Sequence, residues 1–190
     1  MYQNPTPYPS VTQVLSPFCD WSRIPARTLE AAAIRGTRIH DAISDDLTGG
    51  FVVLPDELMG YYQSFQKWSH SMLEEAVEVE KRYVNTTFGF TGQIDCIAKL
   101  SGDTGLTLID WKTGATAMPS WRIQIAAYRE LAAANGIETV RGLSVRVRGD
   151  GSGCVVKEYP GNHKQDYAVF LSALTAYNFF KPKTIDWEAL

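Results

Sequence analysis

Several things are scarce in this sequence, and each scarcity excludes a class of protein. There are only three cysteines, Cys19, Cys96 and Cys154, odd in number, far apart and without a CxxC pair. Neither a disulfide framework nor a zinc ribbon is indicated, and a reducing compartment is expected. No run approaches the roughly 18 apolar residues that a membrane span requires, so no membrane partner is expected. The first Lys or Arg is Arg23, and the opening MYQNPTPYPS has neither a basic nor an apolar leader region. We therefore expect no signal or transit peptide and a cytoplasmic protein. Basic excess is missing as well: 18 Lys and Arg stand against 21 Asp and Glu, a net charge of −3. A nucleic-acid partner would have to be met by a local site. No GxxxxGK[ST] motif occurs, so no ATP site is expected.

What is present belongs to an ordinary globular chain. With 45% apolar and 21% charged residues in 190, collagen-like, low-complexity and disordered classes are excluded. At about 150 residues per domain, residues 1–190 are expected to form one domain, with no repeat and no linker. Pro5, Pro7, Pro9, Pro17 and Pro25 predict an extended opening laid across the surface, broken by a short apolar stretch from Val11 to Leu15. Apolar spacing predicts helices from Thr28 to about Asp46, ended by Gly49-Gly50, and from Pro55 to about Glu75. Alternation by two then predicts strands Val77 to Val84, Phe90 to Leu100 and Leu106 to Lys112. A helix from Pro119 to Ala134, closed by Asn135-Gly136, follows; then come strands Val140 to Arg148 and Cys154 to Tyr159 around the turn GDGSG. A last helix runs from about Asp166 to Phe179. This order implies the α/β class, with a mixed central β-sheet flanked by helices.

The chemistry sits on the strands. In LTLIDWK, residues two apart share a face, so Asp110 and Lys112 point one way and Ile109 and Trp111 the other. One strand earlier, in GQIDCIA, Ile94, Cys96 and Ala98 form the apolar side and leave Asp95 on the less apolar face. Two carboxylates aimed into one cleft repel each other unless a divalent cation neutralises them, and oxygen-rich sites suit Mg²⁺ or Mn²⁺. Such a metal can bind a scissile phosphate, acidify the attacking water and stabilise the leaving oxygen. Lys112 would hold that water and offset the developing charge. Taken alone, Asp110 and Lys112 are equally readable as a solvated ion pair on a strand.

The set Gly36-xxx-His40, Glu80, Gly92-xx-Asp95, Asp110-Trp-Lys112 and Gln124-xxx-Tyr128 resembles the RecB-type branch of the PD-(D/E)XK nuclease superfamily. The opening YPSVTQVLSPF resembles the start of phage and mitochondrial genome maintenance exonucleases in that branch. The resemblance runs over roughly residues 8 to 130 and rests on the motifs occurring together and in order. It implies a restriction-endonuclease-like core in which His40, Asp95, Asp110 and the backbone carbonyl of Trp111 ligate the metal and Lys112 is the catalytic lysine. Glu80 would lie beside the metal or its waters, although Glu78 shares its strand face. Gln124 and Tyr128, one helical turn apart, would buttress the site or touch the DNA backbone. Ile94 stands where the superfamily's name-giving proline would be, as is usual in this branch.

Some relatives hold an iron-sulfur cluster on four cysteines; with three here, and none in the last 36 residues, no iron-sulfur cluster is expected. Relatives also thread a single strand under a helical arch, for which Asp45 to Trp68 is the available stretch. Tyr61 and Trp68 are candidates to stack bases, with Tyr62 and Phe65 more at home in the core, and Arg38 and Arg122 are candidates for phosphates. The implied activity is a Mg²⁺- or Mn²⁺-dependent deoxyribonuclease, an exonuclease on DNA ends with single-strand preference, in recombination, repair or phage DNA processing. A structure-specific endonuclease of the same fold is one alternative. A non-catalytic DNA-binding or protein-interaction module is the other. A helicase or recombinase partner is left open.

Overall fold

A computed structural model describes residues 7–159 and 163–181. Pro5, and with it the start of the proline-rich opening, lies outside the described residues. Helix α1 spans Val11–Leu15 and is followed by a 3-10 turn, Ser16–Phe18. Five residues are too few for a helix to persist in water on propensity alone. Two things hold this one. Ser10 and Gln13 form a reciprocal capping box, with Gln13 N–H donating to Ser10 Oγ at 3.2 Å and Ser10 N–H donating to Gln13 Oε1 at 2.8 Å. Val11 and Val14 are fully buried in the core. The chain from Ser16 to Pro25 is mostly exposed, as expected of an opening laid across the surface, while the apolar stretch within the opening reaches the core through Val11 and Val14.

Helix α2 spans Ala26–Leu47 and buries only Ile39, Ala42 and Ile43, so its second half carries the packing. Gly49, in the left-handed region at φ 77°, turns the chain after it. The next helix does not begin at Pro55. Asp56–Leu58 is a 3-10 turn, and α3 spans Met59–Met72. Leu73 already belongs to β1, Leu73–Asn85, and pairs with Leu100, so the helix stops short of Glu75 where sheet pairing takes over. Helix α3 forms no free arch, since Tyr62, Phe65 and Trp68 pack onto the sheet.

Strands β2, Phe90–Leu100, and β3, Leu106–Lys112, have the expected bounds. Helix α4 spans Pro119–Ala133, β4 Thr139–Arg146, β5 Val155–Glu158 and α5 His163–Phe180. The five strands lie in sheet order β1-β2-β3-β4-β5. All neighbours are antiparallel except β3 and β4. That parallel pair needs a crossover, and α4 supplies it. The architecture is the expected mixed sheet with flanking helices.

Both faces of the sheet are covered. Phe90, Ile94, Ile97 and Leu108 pack with α1, α4 and α5. Cys96, Ala98, Ile109 and Trp111 pack with α2 and α3. Strand β2 therefore has no less apolar face: Ile94 and Cys96 fall into opposite clusters, and alternation is interrupted beside Asp95. Among the described residues no helix is long and apolar enough to cross a membrane.

Candidate active site

Five elements converge where the C-terminal end of β3 meets the middle of β1 and β2. Strand β3 sets Asp110 and Lys112 on one face, as period two requires. Lys112 Nζ lies 2.6 Å from Asp110 Oδ2, yet that buried oxygen has no aligned hydrogen-bond donor among the described residues. The ammonium instead donates to Gln124 Oε1 at 2.9 Å, and Gln124 Nε2 donates to the Tyr128 hydroxyl at 3.3 Å. Gln124 and Tyr128 stand one turn apart on α4, so both face the lysine. The Trp121 ring lies 5.3 Å from Lys112 Nζ, within cation–π range.

Asp95 and His40 meet across β3. Asp95 Oδ2 accepts the Trp111 N–H at 2.8 Å and lies 3.6 Å from His40 Nδ1. Nδ1 is also 3.7 Å from Glu80 Oε1, while Nε2 stands 3.1 Å from the Trp111 carbonyl oxygen. Glu80 is the one non-glycine residue with positive φ among the described residues, at 48°. A glutamate in the left-handed region within a strand carries strain, and such strain persists where the surroundings enforce it. The β1–β2 ladder passes from Val79–Cys96 to Lys81–Ile94 without pairing Glu80 to Asp95. The change of face on β2 falls at the same point, between Ile94 and Cys96. Glu80 Oε2 accepts from Gln93 Nε2 at 2.6 Å. Glu78, its rival by alternation, instead lies 3.5 Å from Lys81 Nζ.

The electrostatics follow from burial and crowding. Burial opposes protonation of His40, but Asp95, Glu80 and Asp110 together outweigh it and raise its pKa to about 9. Asp95 is pushed up chiefly by burial, with Asp110 and Glu80 adding to the effect and His40 and Lys112 opposing it. The buried Tyr128 hydroxyl is held far above its ordinary pKa, by burial first and then by the nearby carboxylates, so it stays protonated.

These donors suit a divalent cation. One atom each of His40, Glu80 and Asp95 lie within 4.8 Å of one another. Asp110 is not one of the three; its buried Oδ2 has the Lys112 charge beside it but no aligned donor among the described residues, and is the kind of oxygen a cation would satisfy. One imidazole among carboxylates is a donor set for a divalent metal ion.

Gly92 has a steric reason: a Cβ there would stand 2.7 Å from Tyr128 Cε1 and 3.0 Å from Leu131 Cδ2. Gly36 has none of that kind, since a Cβ would meet only Thr113 Oγ1, at an ordinary 3.8 Å.

The residues expected to touch DNA divide. Tyr61 lines a groove of about 200 Å³ with Thr113, Gly114, Arg146 and Arg148, and the Arg35 guanidinium lies 5.8 Å from its ring centre. Arg38 is exposed on α2, about 200° around the helix from His40. Trp68 is 7% exposed and packs edge-on against Trp111 at 5.4 Å, so the stacking expectation is corrected: its ring belongs to the core. Arg122 is likewise not brought to the site. It sits about 200° around α4 from Gln124. Its Nε donates to Asp166 Oδ2 on α5 at 2.7 Å.

Sequence reasoning missed a contribution from α1. Ser10, Thr12 and Gln13 line a cleft of about 320 Å³ together with Arg82, Gln93, Glu80, Asp95 and Tyr128. The S-x-x-Q capping pattern was a usable signal for the helix start, but nothing local says where that helix docks. Arg82 and Gln93 are cross-strand partners, and Arg82 Nη2 donates to Gln93 Oε1 at 3.0 Å.

A family model described as the PD-(D/E)XK nuclease superfamily matches residues 52–175, more than half of the chain. The matched span holds Glu80, Asp95, Asp110, Lys112, Gln124 and Tyr128 and leaves out His40. No curated protein matches the sequence significantly. Among solved structures, the chain is similar to SSO0001, at 16% identity over 90% of this chain and 70% of that one, with a TM-score of 0.46. It is also similar to a candidate exonuclease from Eubacterium rectale, at 12% identity over 78% of this chain and 68% of that one, with a TM-score of 0.46.

Proposed function

Because the chain belongs to the PD-(D/E)XK nuclease superfamily, we propose that it is a Mg²⁺- or Mn²⁺-dependent deoxyribonuclease acting on DNA ends, with a preference for single strands. The observation that carries this reading is the His40, Glu80 and Asp95 donor group standing beside the Asp110–Lys112 pair. His40, Asp95, Asp110 and the Trp111 carbonyl would hold the metal, with Glu80 at its edge. When bound, the ion supplies charge neutralisation, a hold on the scissile phosphate and an acidified water.

The chain's own residues do the rest. Lys112, fixed between Asp110 and Gln124, presents a cation where a water attacks phosphorus and negative charge develops. Gln124 and Tyr128 limit the lysine's freedom, so its orientation costs little entropy during the reaction. Trp111 orients the site through its backbone, with its N–H on Asp95 and its carbonyl on His40. Arg38 and the Tyr61 groove are proposed contacts for the DNA backbone and bases. The exonuclease and single-strand assignments, and a role in recombination, repair or phage DNA processing, rest on the resemblance of the motifs and of YPSVTQVLSPF to the RecB-type branch.

The test is a gel time course with Mg²⁺ or Mn²⁺ on end-labelled linear and on circular single-stranded DNA, with Lys112→Ala as the blank. Loss of linear DNA with circles intact is expected, and the variant should lose at least about 10²–10³-fold in rate while keeping its circular dichroism spectrum. Nicked circles would make the protein an endonuclease. Full activity in Lys112→Ala would remove the mechanism.

A further inference from the structure

A second cleft, of about 280 Å³, opens beside the site between α1, the chain after it and the start of α4. Two tryptophans line it, Trp21 and Trp121, together with Met118, Leu15, Thr12 and Gln124. Neither indole belongs to either apolar cluster of the core, and Trp21 is 40% exposed. The core therefore does not account for them. The cleft joins the active site through three residues. Gln124 lines it and accepts from Lys112 Nζ at 2.9 Å. The Trp121 ring lies 5.3 Å from the same ammonium. Thr12 lines both this cleft and the neighbouring one that holds Glu80 and Asp95.

From this geometry we infer that the Trp21–Trp121 slot is a subsite for one unpaired nucleobase, that of a nucleotide next to the scissile phosphate. The inference rests on the nuclease reading and adds to it the part of the substrate that the protein grips. No charged side chain lines the slot, and its two indoles make aromatic stacking its main contact. Its volume lies just below the about 300–1,000 Å³ range of ligand pockets, and a base held against indoles must be unstacked from its neighbours, as a single strand allows. Indole faces stack on any base, because every base has a π-face. A slot so built selects single-stranded over duplex ends without reading sequence.

The experiment compares wild type, Trp21→Ala and Trp21→Phe on three end-labelled substrates: a single strand, the same strand with abasic terminal nucleotides, and the duplex. Stacking of about 1–3 kcal/mol converts to a rise in KM of about 5- to 150-fold for Trp21→Ala on the intact single strand. Wild type should lose a similar factor on the abasic strand, Trp21→Ala should be indifferent to that change, and Trp21→Phe should recover most of the affinity. Equal losses by Trp21→Ala on intact and abasic strands, or no loss on either, would overturn the subsite. Binding by Lys112→Ala protein, read from tryptophan fluorescence with the same oligonucleotides, keeps the two proposals separable. If wild type cleaves nothing, the nuclease reading fails. The slot then stands or falls on whether adding Trp21→Ala weakens binding of the intact strand more than that of the abasic one.

Discussion

At Gly92 an absent side chain is what lets Tyr128 reach Gln124, the hydrogen-bond partner of Lys112. A Cβ placed 2.7 Å from the Tyr128 ring forces the ring or the strand aside, because the ring edge cannot fold away. We expect Gly92→Ala to cost about 1–3 kcal/mol in chemical denaturation and to lower activity by more than that loss explains. Protons offer a second reading of single residues. His40, held near a pKa of about 9, is cationic at neutral pH in the metal-free protein, with its two ring nitrogens facing carboxylates and a carbonyl. A metal must displace that proton, so affinity should rise with pH up to about 9 and each binding event should release a proton. Calorimetry in buffers of different ionisation enthalpy measures the release, and a zero result would show His40 to be outside the metal's ligands. Alternation alone could not choose between Glu78 and Glu80, since both lie on one strand face. The left-handed backbone at Glu80 chooses, and no period-two argument contains it.

Among the elements, α1 departs furthest from its sequence reading. Prolines around a stretch with only three apolar residues, Val11, Val14 and Leu15, describe a surface strap, but the pair Val11 and Val14, one turn apart, gives a face that the sheet can bury. Removing two methyls there with Val14→Ala should cost about 2 kcal/mol, by analogy with other large-to-small core changes. Ser10→Ala should cost about 1 kcal/mol through the lost cap. Because Ser10 and Gln13 also line the cleft beside Glu80 and Asp95, cleavage by Ser10→Ala should fall as well, measured at a temperature where both proteins are fully folded. Helix α3 shows the opposite case. Its apolar spacing continues to Met72, and its end was misplaced only because Leu73 to Glu75 satisfy a helix pattern as well as they do a paired strand.

For the whole molecule, the sheet is a plate between two apolar layers, and the site forms where the C-terminal end of β3, beside the middle of β1 and β2, meets residues of α2 and α4. The chain carries a net charge of −3, so attraction to DNA has to come from a few local cations rather than a field over the surface. Binding should then depend on salt only modestly. We expect the slope of log affinity against log salt to be about −2 to −4 on single strands, the mark of a handful of released counterions. A slope near −10 would mean a broad basic footprint, which the charge balance argues against.

The sequence by itself determined the strands that carry Asp95, Asp110 and Lys112, the helix that sets Gln124 and Tyr128 a turn apart, and the mixed class of the sheet. Those follow from periodicity and from motif spacing, which are local. Tertiary structure decided what depends on long-range packing: that His40, Glu80 and Asp95 meet within a few ångströms, that Gln124 holds Lys112, that Trp68 is core while Trp21 is partly exposed, and that α1 lines the cleft beside the site. Residues far apart in the chain become neighbours only when two faces of one sheet are covered, and no local pattern states which surface covers which.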